Sequence, residues 1–309
     1  MSFFTRLSPQ AKHKARFAAQ VSLTILVPLV PLTYFHFRAI QSREDREKEV
    51  RTKIRVPSIQ TVDELLIEKC QPGDVWLFDR RCENCVHVTE MINCVVGRSL
   101  LCGGDARDGK SSDGTFDHCG IVVPGPPKDD KSLYDPHNLY LLEATAGGGV
   151  TASPLLNRLE MTQSRTVLLL PLVSPGERRN DDDYEPSGKT EILKNNVAKH
   201  LISFQKKWTE EAEKQNYKDG HSTLGILGAL GYVFGVQKAS LAPTSPSAWL
   251  VVSALQEAGA AMNVTDRTAM ETRVEDFLRD YRFHEKDTVR LRPGWKFLGP
   301  MAMRETGRS

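Results

Sequence analysis

The chain has 309 residues, of which 40% are hydrophobic and 26% charged, an ordinary composition for a folded protein with a buried core. This length allows one large domain or two small ones. A formal net charge of +2 at pH 7 argues against nucleic acid as a partner.

Basic side chains are concentrated at the N-terminus. Residues 1–43 contain six Lys or Arg and no Asp or Glu, whereas the rest of the chain contains 35 basic and 39 acidic residues. A basic, acid-free start followed by a near-neutral body is typical of a targeting or anchoring segment. We assign residues 1–16 to this basic segment.

An apolar stretch of 21 residues without formal charge follows it and ends at Phe37. At ~1.5 Å per residue, a helix of this length crosses a hydrocarbon core of ~30 Å. Pro28 and Pro31 are compatible with a transmembrane helix. The sequence therefore predicts a single-pass anchor over residues 17–38 that contacts membrane lipid. A buried or amphipathic N-terminal helix is the alternative.

The sequence specifies the membrane and the orientation less well than the span. Four basic residues precede the apolar stretch and seven lie between Arg38 and Arg55, so the positive-inside rule does not fix the orientation. The acid-free start resembles a mitochondrial targeting segment, which favours a mitochondrial membrane, with the endoplasmic reticulum as the alternative. Residues 39–69 are rich in charges of both signs and are predicted to form a juxtamembrane helix or linker.

All six cysteines lie between Cys70 and Cys119, unlike a disulfide framework distributed over a domain. Four of them have spacings that zinc could use: Cys82, Cys85, Cys94 and Cys102. Because no second C-x-x-C pair follows the first, reduced structural cysteines are the preferred interpretation. Neither a metal nor a cofactor is predicted.

A folded domain is predicted over residues 70–295, followed by a C-terminal tail over 296–309. Short apolar runs bounded by Gly and Pro predict strands that are close in sequence, which favours a small antiparallel sheet or half-barrel. The strands are expected at 75–78, 118–123, 139–144, 164–172 and 288–291. Helices are expected at about 190–213, 245–260 and 270–279, so the predicted fold class is α+β, with the sheet packed against helices.

The stretch SPSAWLVVSALQEAGA, residues 245–260, has the pattern of a buried helix with a well-formed N-terminus. Ser245 fits the N-cap and Pro246 fits the first helical position. Ser247 then lies in the first turn, where a serine is common for structural reasons alone.

Four segments occur in the order PGDVWLF, DHCGIVV, LLEATAGGGV and SAWLVVSALQEAGA. Together they resemble the permuted papain-like family, the YiiX/YaeF-like members of the NlpC/P60 superfamily, which is related to the lecithin retinol acyltransferase group. The resemblance covers roughly residues 70–295 and implies a papain-like fold. It also implies a triad of a histidine base, a carboxylate that orients it and a cysteine that opens a helix.

Carried onto this chain, the resemblance implies His118 as the base, Glu143 as the orienting carboxylate and Ser247 at the place of the nucleophile. Serine departs from the family pattern, since its hydroxyl is a far weaker acid than a thiol, and Trp249 replaces the acidic residue usual in that helix. We expect His118 and Glu143 to be in contact, because a carboxylate in a buried strand needs a partner. Side-chain alternation predicts that Cys119 points away from the site.

Two functions are compatible with this pattern. The favoured one is a catalytically inactive papain-like domain on a membrane anchor, serving as a structural or binding subunit with protein partners in a membrane complex, mitochondrial by preference. The alternative is an active hydrolase or acyltransferase that uses Ser247, His118 and Glu143 on amide, ester or lipid acyl bonds.

Overall fold

The structure is a computed structural model that describes part of the chain. The described residues are 34, 37–38, 40–41, 44–45, 48, 66–80, 116–126, 138–145, 149–164, 166–177, 188–215, 243, 245–262, 265–278 and 290–303.

Ten short strands lie within these residues. They are β1 (Val75–Asp79), β2 (His118–Pro124), β3 (Leu139–Thr145), β4 (Gly149–Pro154), β5 (Thr166–Leu170), β6 (Leu172–Val173), β7 (Ala261–Met262), β8 (Arg290–Leu291), β9 (Lys296–Phe297) and β10 (Met301–Ala302). Six of them form one antiparallel sheet in the order β10-β5-β1-β2-β3-β4, and the pairs β6-β9 and β7-β8 form two small ribbons.

The helices lie against this sheet. They are α1 (Leu155–Glu160), α2 (Gly188–Gln215), α3 (Pro246–Glu257), α4 (Asp266–Glu271) and a 3-10 turn at Val274–Phe277. Helices α2 and α3 pack on one face, and α1 packs on the other together with Leu66, Ile67 and Met303. Strand β2 is buried along its whole length because both faces of the sheet are covered.

The PGD segment forms the turn that precedes β1. Gly73 has a positive φ of 98°, a conformation that glycine adopts without strain. The buried carboxylate of Asp74 then accepts hydrogen bonds from the backbone N–H of Leu172 at 2.9 Å and of Gln71 at 2.8 Å. Asp74 therefore ties the start of β1 to the start of β6.

The α+β class and the antiparallel sheet are confirmed, with some changes of boundary. The strand predicted over 164–172 is two strands, β5 and β6, because Pro171 interrupts it. The helix predicted at 270–279 is a shorter α4 followed by the 3-10 turn. Residues 296–309 were expected to be a tail, but β9 and β10 lie within them and pair with β6 and β5. Strand β4 and helix α1 were not predicted.

Within the described residues, no helix combines the length and the apolar character that a bilayer crossing requires. Most of the predicted anchor, residues 17–38, lies outside those residues, so the anchor stays a prediction.

Candidate active site

Strand β2 presents different residues to the two layers of the molecule, because successive side chains in a strand point to opposite faces. His118 is opposite Phe78 of β1 and shares the face that α1 covers. Cys119 belongs to the other face, among the core residues contributed by α2 and α3. Two neighbours in the sequence thus face different surroundings.

His118 and Glu143 are in contact, as expected from the cost of burying an unpaired carboxylate. Nε2 of His118 lies 2.8 Å from Oε1 of Glu143, and both side chains are almost completely buried. Gly120 makes this contact possible, because a Cβ at that position would lie 2.8 Å from Cγ of Glu143. The glycine of the HCG segment leaves room for the Glu143 side chain to lie across β2.

Arg158 of α1 is a third member of this group, and the sequence analysis missed it. Its Nε donates to Oε2 of Glu143 at 2.6 Å and its Nη2 donates to Oε1 at 2.9 Å. The guanidinium also lies over the Phe78 ring, 4.8 Å from its centroid. The sequence did carry one relevant signal: a buried carboxylate has more acceptor sites than one imidazole can fill.

These contacts determine which groups are charged. Burial alone would raise the pKa of Glu143, but the charge of Arg158 and the hydrogen bond from His118 outweigh burial and lower that pKa to about 2. An ionised carboxylate only accepts hydrogen bonds, so the proton of the shared bond belongs to Nε2 of His118. Burial, followed by the charge of Arg80, lowers the pKa of His118 below its ordinary value, against the opposing effect of Glu143.

A second ion pair lies where β1 ends and β2 begins. Nε of Arg80 donates to Oδ2 of Asp117 at 2.9 Å, and the backbone N–H of Arg80 donates to Oδ1 at 2.7 Å. The carboxylate of Asp117 is nearly buried, so the pair fixes the end of β1 against the start of β2.

Ser247 is buried in the first turn of α3 and is hydrogen-bonded to β2. Ser245 is the N-cap of α3 and accepts from the backbone N–H of Ala248, and Pro246 occupies the first turn, as predicted. The Ser247 hydroxyl is buried, accepts from the backbone N–H of Cys119 at 3.2 Å and lies 3.3 Å from the Ser245 hydroxyl.

Among the described residues, hydrogen bonds do not join the three predicted groups into a triad. Within the described part of the chain, His118 is hydrogen-bonded to Glu143, and no hydrogen bond joins it to Ser247. Cys119 points away from His118 and Glu143, as side-chain alternation predicts, but not from Ser247, because α3 packs on the face of the sheet that carries Cys119. Burial raises the pKa of the Cys119 thiol to about 12, although the Ser247 hydroxyl hydrogen-bonds to it, so this thiol stays protonated.

Trp249 has a packing role where the family pattern places an acidic residue. Its ring meets Trp208 of α2 edge to face, with 5.1 Å between the ring centroids. Phe204 continues the aromatic cluster at 6.0 Å from Trp208. The aromatic residue at the start of α3 therefore joins the two helices that cover this face of the sheet.

The four cysteines whose spacing zinc could use, Cys82, Cys85, Cys94 and Cys102, lie outside the described residues. Within the ranges that the structure does describe, no group of three or more His, Cys, Asp or Glu side chains is arranged to hold a metal ion.

The site thus consists of a buried His118–Glu143–Arg158 group on one face of the sheet and Ser247 on the other face. The Ser247 hydroxyl is hydrogen-bonded to the backbone of β2. No protein-family model matches this chain, and a comparison with curated proteins finds no match either.

Proposed function

We propose that this chain is a membrane-anchored, catalytically inactive papain-like domain that serves as a structural or binding subunit of a membrane complex. One observation carries the proposal. The Ser247 hydroxyl is hydrogen-bonded to the backbone of β2, while Glu143, the carboxylate that would orient a catalytic base, is also hydrogen-bonded to Arg158. A serine nucleophile needs a base that takes its proton, and among the described residues His118 does not make that contact with Ser247.

The order of the elements supports the papain-like part of the proposal. A strand with His118, an adjacent strand with Glu143 and a later helix that opens at Ser247 follow one another as the resemblance implies. A fold of this kind can keep its frame while its chemistry is lost, since function depends on the site rather than on the fold.

The charge state of the pair supports an inactive site. A general base works best when its pKa lies near the working pH and when the imidazolium it forms is stabilised by a carboxylate. Here burial and Arg80 lower the pKa of His118, and the negative charge of the Glu143 carboxylate is already balanced by Arg158. Protonating His118 would therefore place a poorly compensated charge in the interior.

Labelling with a fluorophosphonate probe tests the absence of serine chemistry. We expect no labelling of the wild-type protein and no difference from S247A, with an active serine hydrolase as the positive control. Labelling of the wild type that S247A abolishes would contradict the proposal and favour the active hydrolase or acyltransferase.

The variant S247C tests whether only the thiol is missing. We expect it to fold and to show no thiol-dependent hydrolysis of amide or ester substrates, because His118 is hydrogen-bonded to Glu143 and shares the face of the sheet opposite to the one that α3 covers. A gain of such activity, blocked by a thiol alkylating reagent, would mean that the rest of a triad is in place.

The anchor is proposed from the apolar and basic N-terminal sequence, and it is tested separately. We expect the full chain, carrying a C-terminal tag, to stay in the membrane fraction after carbonate extraction and a variant lacking residues 1–38 to be released. Protease protection in intact mitochondria then reports which side holds the domain. Release of the full chain by carbonate would contradict the anchor.

A further inference from the structure

Glu143 has more partners than the orienting carboxylate of a triad requires. Oε1 accepts from both His118 and Arg158, and Oε2 accepts from Arg158. Both oxygens are therefore occupied by donors within the protein. A carboxylate bound by an Arg fork is fixed in plane and direction, since two parallel N–H donors match its two oxygens.

Arg158 is itself held in place. Its guanidinium stacks on the Phe78 ring while Leu155 and Leu159 bury the same helix against the sheet. The side chain is about one quarter exposed, at 23%, so it reaches the buried carboxylate from the surface layer. Through this one residue, α1 is joined to Glu143 of β3 and, by way of that carboxylate, to β2.

The charged side chains around the imidazole of His118 form ion pairs with one another, so they do not require a charge on the ring. The positive charges of Arg80 and Arg158 and the negative charge of Glu143 act on the ring, and each arginine is already paired, Arg80 with Asp117 and Arg158 with Glu143. A neutral imidazole completes a neutral group, whereas a protonated one would leave an excess charge at a buried position.

We infer that Arg158 is a positioning residue, which keeps His118 neutral with its proton on Nε2 and fastens α1 to strands β2 and β3. The inference rests on the proposed function, because a catalytic histidine would have to take up and release a proton. The His–Glu pair then has a structural role, because His118, Glu143 and Arg158 together join α1 to strands β2 and β3.

NMR of the ring nitrogens of uniformly 15N-labelled protein tests this inference, between about pH 5 and 8 where an unperturbed histidine titrates. In the wild type we expect His118 to be the Nε2-protonated neutral form and to gain its second proton only below the ordinary pKa. In R158Q we expect the midpoint to rise by about one pH unit, roughly a tenfold gain in proton affinity, because a nearby positive charge is removed.

Two matched variants separate position from charge. R158K retains the positive charge and should keep the midpoint close to that of the wild type, although it cannot form the two-pronged contact. R267Q removes an exposed arginine that pairs with Glu271 on α4, and it should leave the His118 signals unchanged.

A wild-type His118 protonated on Nδ1 would overturn the inference, and so would an R158Q protein with an unmoved midpoint. If R158Q does not fold, the wild-type tautomer still decides. The outcome is independent of probe labelling at Ser247, so a failure of this inference and a failure of the proposed function can be told apart.

Discussion

The Ser247 hydroxyl accepts the backbone N–H of Cys119 across 3.2 Å. The ladder between β2 and β3 begins one residue later, where Gly120 is opposite Glu143. Ser247 thus provides an acceptor to a buried amide at the point where strand pairing starts. A buried N–H needs such a partner, so the serine has a structural reason to be present.

Removal of the Ser247 hydroxyl should destabilise the protein. We expect S247A to lower the free energy of unfolding by about 1–3 kcal/mol, because the Cys119 amide loses its acceptor. Urea denaturation measures this change. The matched variant S253A removes a hydroxyl that only donates to the Trp249 carbonyl within α3, and it should cost less than about 1 kcal/mol. Equal costs for the two variants would argue against the role of Ser247 as an acceptor.

A side chain at position 120 should disturb the His–Glu pair. The Cβ in G120A would lie 2.8 Å from Cγ of Glu143 and 2.9 Å from Cγ of Leu141. We expect a loss of about 1–3 kcal/mol in unfolding free energy from this overpacking. A Cβ at Gly299 would meet no atom within 4 Å, so G299A provides the control and should be close to neutral. A G120A protein as stable as the wild type would show that the Glu143 side chain can adopt another conformation that accommodates the added methyl group.

Asp74 should be essential for the entry of β1 into the sheet. Its carboxylate accepts two backbone N–H groups, from Gln71 and Leu172. We expect D74A to cost at least about 2 kcal/mol in unfolding free energy, since two donors lose their acceptor in a buried place. E271Q alters a pair with the largely exposed Arg267 and should cost under about 1 kcal/mol. If D74A unfolded at the same denaturant concentration as E271Q, water would have to replace both bonds.

Acid should destabilise the fold in two successive ranges of pH. The pKa of His118 is lowered in the folded protein, so the unfolded chain binds the proton more readily and stability falls as the pH drops below about 6.5. The pKa of Glu143 is lowered to about 2, so its contribution is present above its ordinary value and is lost as the pH falls toward about 2.

Unfolding free energies measured against pH test both steps. H118Q should remove the part of the slope that begins as the pH falls below about 6.5, and leave the lower part that depends on Glu143. His200 is exposed on α2, and H200Q should retain the wild-type slope. A slope unchanged in H118Q would assign the upper step to another group.

The sequence was informative where a pattern is local. Strands β1, β2 and β3 are short apolar runs between turn residues, and the start of α3 follows from Ser245 and Pro246 as cap and first helical residue. The contact of His118 with Glu143 followed from the cost of a lone buried carboxylate. These inferences need only neighbouring residues or one general energetic rule.

The missing parts depend on the packing of distant elements. The sequence did not show which face of β2 would receive α3, and that choice decides whether Ser247 meets His118 or Cys119. Arg158 was overlooked because its helix of six residues is too short for a clear periodic pattern. Strand β10 has only two residues and is recognisable by its pairing with β5, not by its composition.

The position of β10 has a consequence for the order of events during translation. Among the strands that the structure describes, β5 lies between β1 and β10, so one of its edges lacks its strand partner until residue 302 has left the ribosome. At roughly 5–20 residues per second, the delay between the synthesis of β5 and that of β10 is on the order of ten seconds. The nascent chain carries an open, apolar strand edge throughout this interval, and an edge of this kind can pair with other chains.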